Sequence, residues 1–87
     1  SLSPLHKEKN IEFYELKIAP ASSLVSAPHY EGTKEMLTIT RGRARLISGD
    51  SSTELSEGDS AHYRGDLNHS IANAGDTELV CYLVVTS

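Results

Sequence analysis

Two imidazoles and two carboxylates stand at strand spacing in this chain, and their chemistry sets the question. The run His29-Tyr30-Glu31-Gly32-Thr33-Lys34-Glu35 leads into the apolar stretch Met36-Leu37-Thr38-Ile39, and a second histidine follows in Asp66-Leu67-Asn68-His69. Alternate residues of an extended chain share a face, so His29 and Glu31 point one way, as do Glu35, Leu37 and Ile39. If Leu37 and Ile39 face a core, Glu35 faces it too. A buried carboxylate is costly unless it is neutralised, paired or bound to a cation. Glu31 close by adds repulsion, which imidazoles, a divalent ion or a ligand ammonium would offset. His and Glu together suit zinc, iron, manganese or nickel. The expectation is a polar pocket in which His29, Glu35 and His69 converge as candidate metal ligands, with Glu31 in the cluster or at its rim. Tyr63 is expected at the pocket mouth, and Arg64 opposite a ligand carboxylate.

Strands must carry these groups. The six glycines punctuate the chain at intervals of seven to ten residues, and short β-rich segments lie between them, the spacing of a sandwich or barrel. Ile11 to Ile18 reads as the first strand, Leu24 to Ser26 as a short second, and Glu35 to Thr40 as the third. Arg43 to Ser48 and Thr53 to Leu55 form a hairpin around Gly49-Asp50. Ala61 to Tyr63, His69 to Asn73 and Glu78 to Val85 complete the set. No segment repeats apolar residues with a helical period. Residues 1–10, with Pro4 and mixed charge, read as a linker or arm, and residues 11–87 as one domain.

Composition narrows the function. Eighty-seven residues make a single domain, and one cysteine, Cys81, cannot close an internal disulfide. A reducing, cytoplasmic setting follows as the simpler expectation. No apolar run approaches a membrane span. Net charge is −4, from 12 acidic against 8 basic residues, which argues against phosphate contacts and hence against DNA binding by this chain itself. Arg41, Arg43 and Arg45 form the densest basic spot and read as a solvated strand face. His62 is expected in solvent, Cys81 in the packing, and Asn73 bonded to backbone at a turn.

With these residues in hand, the chain resembles the cupin superfamily. That family's first motif has a histidine pair, then a glutamate, then a glycine. His29 matches the first histidine, Glu31 stands where the second would be, Glu35 matches the glutamate and Gly42 the glycine. Its second motif has a glycine, a Pro-x-Gly step, a histidine and an asparagine; Gly58, His69 and Asn73 match, while Arg64 and Asp66 replace the Pro and Gly. The resemblance covers residues 11–86 and implies an all-β fold, a small antiparallel cupin-type barrel or double-stranded jelly roll. Glu31 in place of a histidine predicts partial occupancy by a divalent metal. Within the superfamily, the pattern is similar to the C-terminal cupin domain of helix-turn-helix transcriptional regulators of the XRE type.

That likeness implies a small-molecule sensor, often dimeric, behind a DNA-binding domain outside this chain, and a first residue Ser1 rather than Met suits a piece of a longer protein. The expected ligand is a small polar metabolite, and the expected partner a second copy, joined through Ile11 to Ile18. The rival reading is a metal-dependent enzyme (oxygenase, isomerase or lyase) using the same cluster, although no residue earns a catalytic role. A third is a purely structural dimer module.

Overall fold

A computed structural model of the chain describes residues 11–28 and 31–87. Eight antiparallel strands follow one another: β1 Ile11–Ile18, β2 Ser23–Ser26, β3 Lys34–Arg41, β4 Ala44–Ser48, β5 Ser51–Leu55, β6 Ser60–Arg64, β7 His69–Asn73 and β8 Leu79–Thr86. They form two four-stranded sheets, in the orders β1-β8-β3-β6 and β2-β7-β4-β5. Sequence neighbours are mostly parted between sheets, which is the jelly-roll arrangement the cupin resemblance implied, within the sandwich or barrel that the glycine spacing predicted. Among the described residues there is no helix.

Side-chain alternation is what welds the sheets. On β8, Leu79, Cys81, Leu83 and Val85 are buried while their neighbours are half-exposed; β3 and β7 show the same rhythm. The core comprises these residues with Ile18, Leu37, Ile39, Ala44, Leu46, Leu55 and Ile71. Leu37, Ile39 and Leu79 lose essentially all contact with water, each contributing about 1.5–3 kcal/mol. Cys81 packs among them, and burial pushes its thiol up to about 11. Three polar residues share this interior with Thr33: Glu35, His69 and Asn73.

Two features fix the frame around them. The β4–β5 hairpin turns at Gly49-Asp50, with Ser48 opposite Ser51. Of these two turn residues only Gly49 takes a positive φ, +58°, as a type II′ turn requires. Asn73 donates to the carbonyls of Ile18 and Thr77 and accepts from the Gly75 N–H. It thereby ties the end of β1 to the β7–β8 turn, as its turn position suggested. Residues 1–10, read as a linker or arm, lie outside the described residues.

Candidate functional site

Glu35 reaches the interior because β3 alternates and because Thr33, Leu37 and Ile39 share its side. Register then supplies its neighbour: Glu35 and Tyr63 are directly opposed across the β3–β6 ladder. The Tyr63 hydroxyl donates to Glu35 Oε1 at 2.7 Å. Burial, and then this bond, push the Tyr63 phenol far above its ordinary range, so it stays a donor. His69 comes from the other sheet and places Nε2 3.2 Å from Glu35 Oε2, with the two side chains 2% and 1% exposed. The Tyr63 and His69 rings lie 5.7 Å apart and tilted.

Proton bookkeeping follows from one contact. His69 Nδ1 sits 2.7 Å from the Leu67 carbonyl, and a carbonyl only accepts, so Nδ1 carries hydrogen. An attractive Nε2–Oε2 contact then needs one proton more, shared as imidazolium with carboxylate or as carboxylic acid with imidazole. At 3.2 Å the contact is longer than the roughly 2.7–2.9 Å of a well-formed charge-assisted bond. Gly65 closes the site from the side. A Cβ there would meet Thr33 Cγ2 at 2.9 Å and Glu35 Oε2 at 3.0 Å, and its N–H donates to the Thr33 carbonyl.

Above this polar floor lies a cavity of about 230 Å³, open between the edge strands β1 and β2. Glu12, Tyr14 and Leu16 line it from β1, Leu24 and Ser26 from β2, with Ile71, Leu83 and Val85 between them. The sequence pointed to a polar pocket; the walls are mostly aliphatic, and polarity is confined to the floor and to Glu12, Tyr14 and Ser26. The β1 and β2 lining escaped the sequence reading because both strands read as packing segments, and only the sheet order makes them the sides of a mouth.

The remaining candidates divide. Glu31 is exposed in the β2–β3 loop, where it borders a shallow depression with Gly32, Lys34, Arg64 and Asp66. It does not join Glu35, because β3 begins only at Lys34 and Thr33 takes the inward place before it. Of the two places expected for Glu31, in the cluster or at its rim, the first is therefore corrected, and Glu35 is the buried carboxylate among the described residues. Arg64 alternates outward from Tyr63 and holds Asp66 with two bonds, of 2.8 and 3.0 Å. Asp66 also accepts from the Gly32 N–H, and the Arg64 guanidinium holds its carboxyl down at about 2. The clasp joins the β2–β3 and β6–β7 loops. His62 is exposed, as expected. His29, and Tyr30 beside it, lie outside the described residues.

The metal expectation rests on the donors that can be placed. Glu35 Oε2 and His69 Nε2 stand at a separation that fits two neighbouring positions around one ion with roughly 2.0–2.2 Å bonds. The Leu67 carbonyl fixes the imidazole tautomer as an outer partner of a ligating histidine does. No group of three or more His, Cys, Asp or Glu side chains gathers among the described residues.

The cupin-domain family profile matches residues 15–86. No curated protein sequence matches the chain. Among solved structures, the cupin domain of an XRE-family transcriptional regulator from Enterobacter cloacae is 17% identical, with a TM-score of 0.82 over 86% of this chain and 79% of that one. An HTH_3-family transcriptional regulator from Vibrio cholerae is 21% identical, with a TM-score of 0.83 over 88% of this chain and 43% of the other. A sugar phosphate isomerase from a cupin superfamily, from Silicibacter pomeroyi, is 22% identical, with a TM-score of 0.72 over 88% of this chain. The chain spans half the length of that isomerase. Such identities establish a shared fold, and no helix of the described residues is long and apolar enough to cross a membrane.

Proposed function

The chain belongs to the cupin family, and from that premise we propose that it is the small-molecule-sensing and dimerisation domain of a cytoplasmic transcriptional regulator. One observation carries the reading: a single buried Glu35–His69–Tyr63 network forms the polar floor of an otherwise aliphatic, open cavity. Such a site selects a small amphiphile, with one polar head for the carboxyl–imidazole pair and an apolar body against Leu16, Leu24, Ile71 and Leu83. The Arg64–Asp66–Gly32 clasp supports the output step, since a ligand that shifts either loop shifts both. Solved regulators of the same fold support the setting, and a net charge of −4 leaves DNA contact to another domain.

Metal enters this reading as an auxiliary. Glu35 and His69 would hold it, with His29 as the third donor the sequence suggests, and it would supply a Lewis-acidic anchor for the ligand head. A second copy would cover β1, an edge strand among the described residues, whose outer face leaves Ile11 70% and Phe13 67% exposed. Glu15 and Lys17 alternate on that same face.

The isomerase or lyase reading has one observation in its favour: a buried carboxyl and imidazole 3.2 Å apart are acid–base equipment. Native mass spectrometry separates the alternatives. The sensor reading expects a dimer retaining a small organic molecule, which Glu35→Leu/His69→Leu loses. A monomer that carries nothing in either form defeats it.

A further inference from the structure

The barrel has a second mouth. The free edges β5 and β6 lie across from one another at the side opposite β1 and β2, and the gap between them is a cavity of about 290 Å³. Its floor is apolar: Leu46, Ala61, Leu67 and the ring of Tyr63. Its side wall is polar and open to solvent, with Ser51 and Thr53 exposed and Ser48 half-buried. Cross-strand pairing sets Ser48 against Ser51 and Leu46 against Thr53, so Ser48, Ser51 and Thr53 stand on the same inner face as Leu46. Elsewhere that face carries Ala44, Leu55 and Ile71, with His69 and Asn73 as its buried polar members. Within the described residues, none of these three hydroxyls, nor the His62 imidazole at the rim, hydrogen-bonds to another group of the protein.

We propose that this opening is a second binding site, taking a small neutral polyhydroxylated molecule. The lining rejects the other ligand classes. An apolar occupant would strip water from three hydroxyls and an imidazole without replacing those bonds. An anion would find the one guanidinium that lines the opening, Arg64, engaged by Asp66 with two bonds, in a chain of net negative charge. A compact polyol suits both surfaces, with C–H groups on Tyr63, Leu46 and Leu67 and hydroxyls exchanging bonds with Ser48, Ser51, Thr53 and His62. The site is distinct from the sensing cavity but shares Tyr63 with it: the ring walls one while the hydroxyl reaches Glu35 in the other.

Titration of the 15N-labelled chain with myo-inositol tests the site, with n-butanol and inorganic phosphate as apolar and anionic controls. The expected result is saturable amide shifts at Ser48, Ser51, Thr53 and Ala61, absent with both controls and leaving Leu24 and Ser26 undisturbed. Ser51→Ala/Thr53→Val should weaken binding about tenfold or more, the loss of two hydrogen bonds of ordinary strength. Should that variant lose its spectral dispersion, Thr53→Val alone carries the test with a severalfold loss. Shifts that never saturate, or that persist unchanged in the variant, overturn the proposal. Shifts centred on Leu24 and Ser26 assign the polyol to the sensing cavity and overturn it equally.

Discussion

Cutting one member of the Glu35–His69 pair should harm the protein more than removing the whole network. The two side chains are 1% and 2% exposed. In His69→Leu the carboxylate loses the imidazole 3.2 Å away and keeps the Tyr63 hydroxyl; in Glu35→Leu the imidazole and the phenol both lose their acceptor. Breaking a buried pair from one side costs about 3–5 kcal/mol, whereas replacing it outright by apolar groups is often neutral or stabilising by about 1–4 kcal/mol. A domain of this length holds roughly 4–13 kcal/mol in all, at about 0.05–0.15 kcal/mol per residue. Each single variant should therefore forfeit about a quarter or more of the fold's stability. The triple variant Glu35→Leu/His69→Leu/Tyr63→Phe, which leaves no donor behind, should unfold at a urea concentration equal to or above wild type. Far-UV circular dichroism at pH 7 is the assay, since the chain has no tryptophan. If the triple variant is as unstable as the worse single one, the network exists for stability, and the argument that it is retained for a ligand collapses.

Four further outcomes follow from other contacts. Zinc or nickel should raise the melting temperature through preferential binding to the folded chain, and His69→Ala should remove the rise; an equal rise in both would put the metal elsewhere. Gly65→Ala must push on Thr33 and on the Glu35 carboxylate, both within about 3 Å of the new methyl, and should cost about 1–3 kcal/mol, seen as a melting point lower by roughly 4–8 °C per kcal/mol. The Asp66 carboxyl should titrate near 2 by carbon NMR and move up towards about 3.9 in Arg64→Gln. Its folded value being the depressed one, the clasp's contribution is complete above the unfolded value and fades as pH falls towards 2. Light scattering should report a dimer, and Ile11→Ser/Phe13→Ser a monomer; a wild-type monomer at micromolar concentration removes the β1 interface.

The fold was legible because a period of two and regularly placed glycines are properties of the sequence itself. β1 and β7 begin and end where the apolar alternation does. Boundaries moved where pairing outlasts pattern: β5 starts at Ser51, two residues before the pattern does, because Ser51 and Ser52 find partners in Ser48 and Ile47 across the tight turn. Nothing in two serines announces a strand. Parity likewise put Glu35 inside with Leu37 and Ile39, and His69 inside with Ile71.

Register is what parity cannot give. That Tyr63 opposes Glu35, so that a residue expected at the mouth becomes a hydrogen-bond donor within the network, depends on how β3 and β6 align. That Arg64 turns outward to Asp66 follows from the same alignment, one residue on. Both cavities arise in the same way, from free edges brought together by the sheet order: aliphatic walls at β1 and β2, hydroxyls at β5. Two mouths of different chemistry, sharing Tyr63 as their partition, cannot serve a single uniformly polar ligand. On the proposed sensing role the carboxyl–imidazole floor would hold the head of an amphiphile, and a contact that displaced the Tyr63 ring from the β5–β6 side would withdraw a donor from that floor. Tyr63→Phe, which keeps the ring and deletes the donor, should therefore alter ligand affinity in the first cavity while leaving polyol binding in the second intact. Equal losses at both sites would mean that the substitution has disturbed the barrel as a whole rather than its partition.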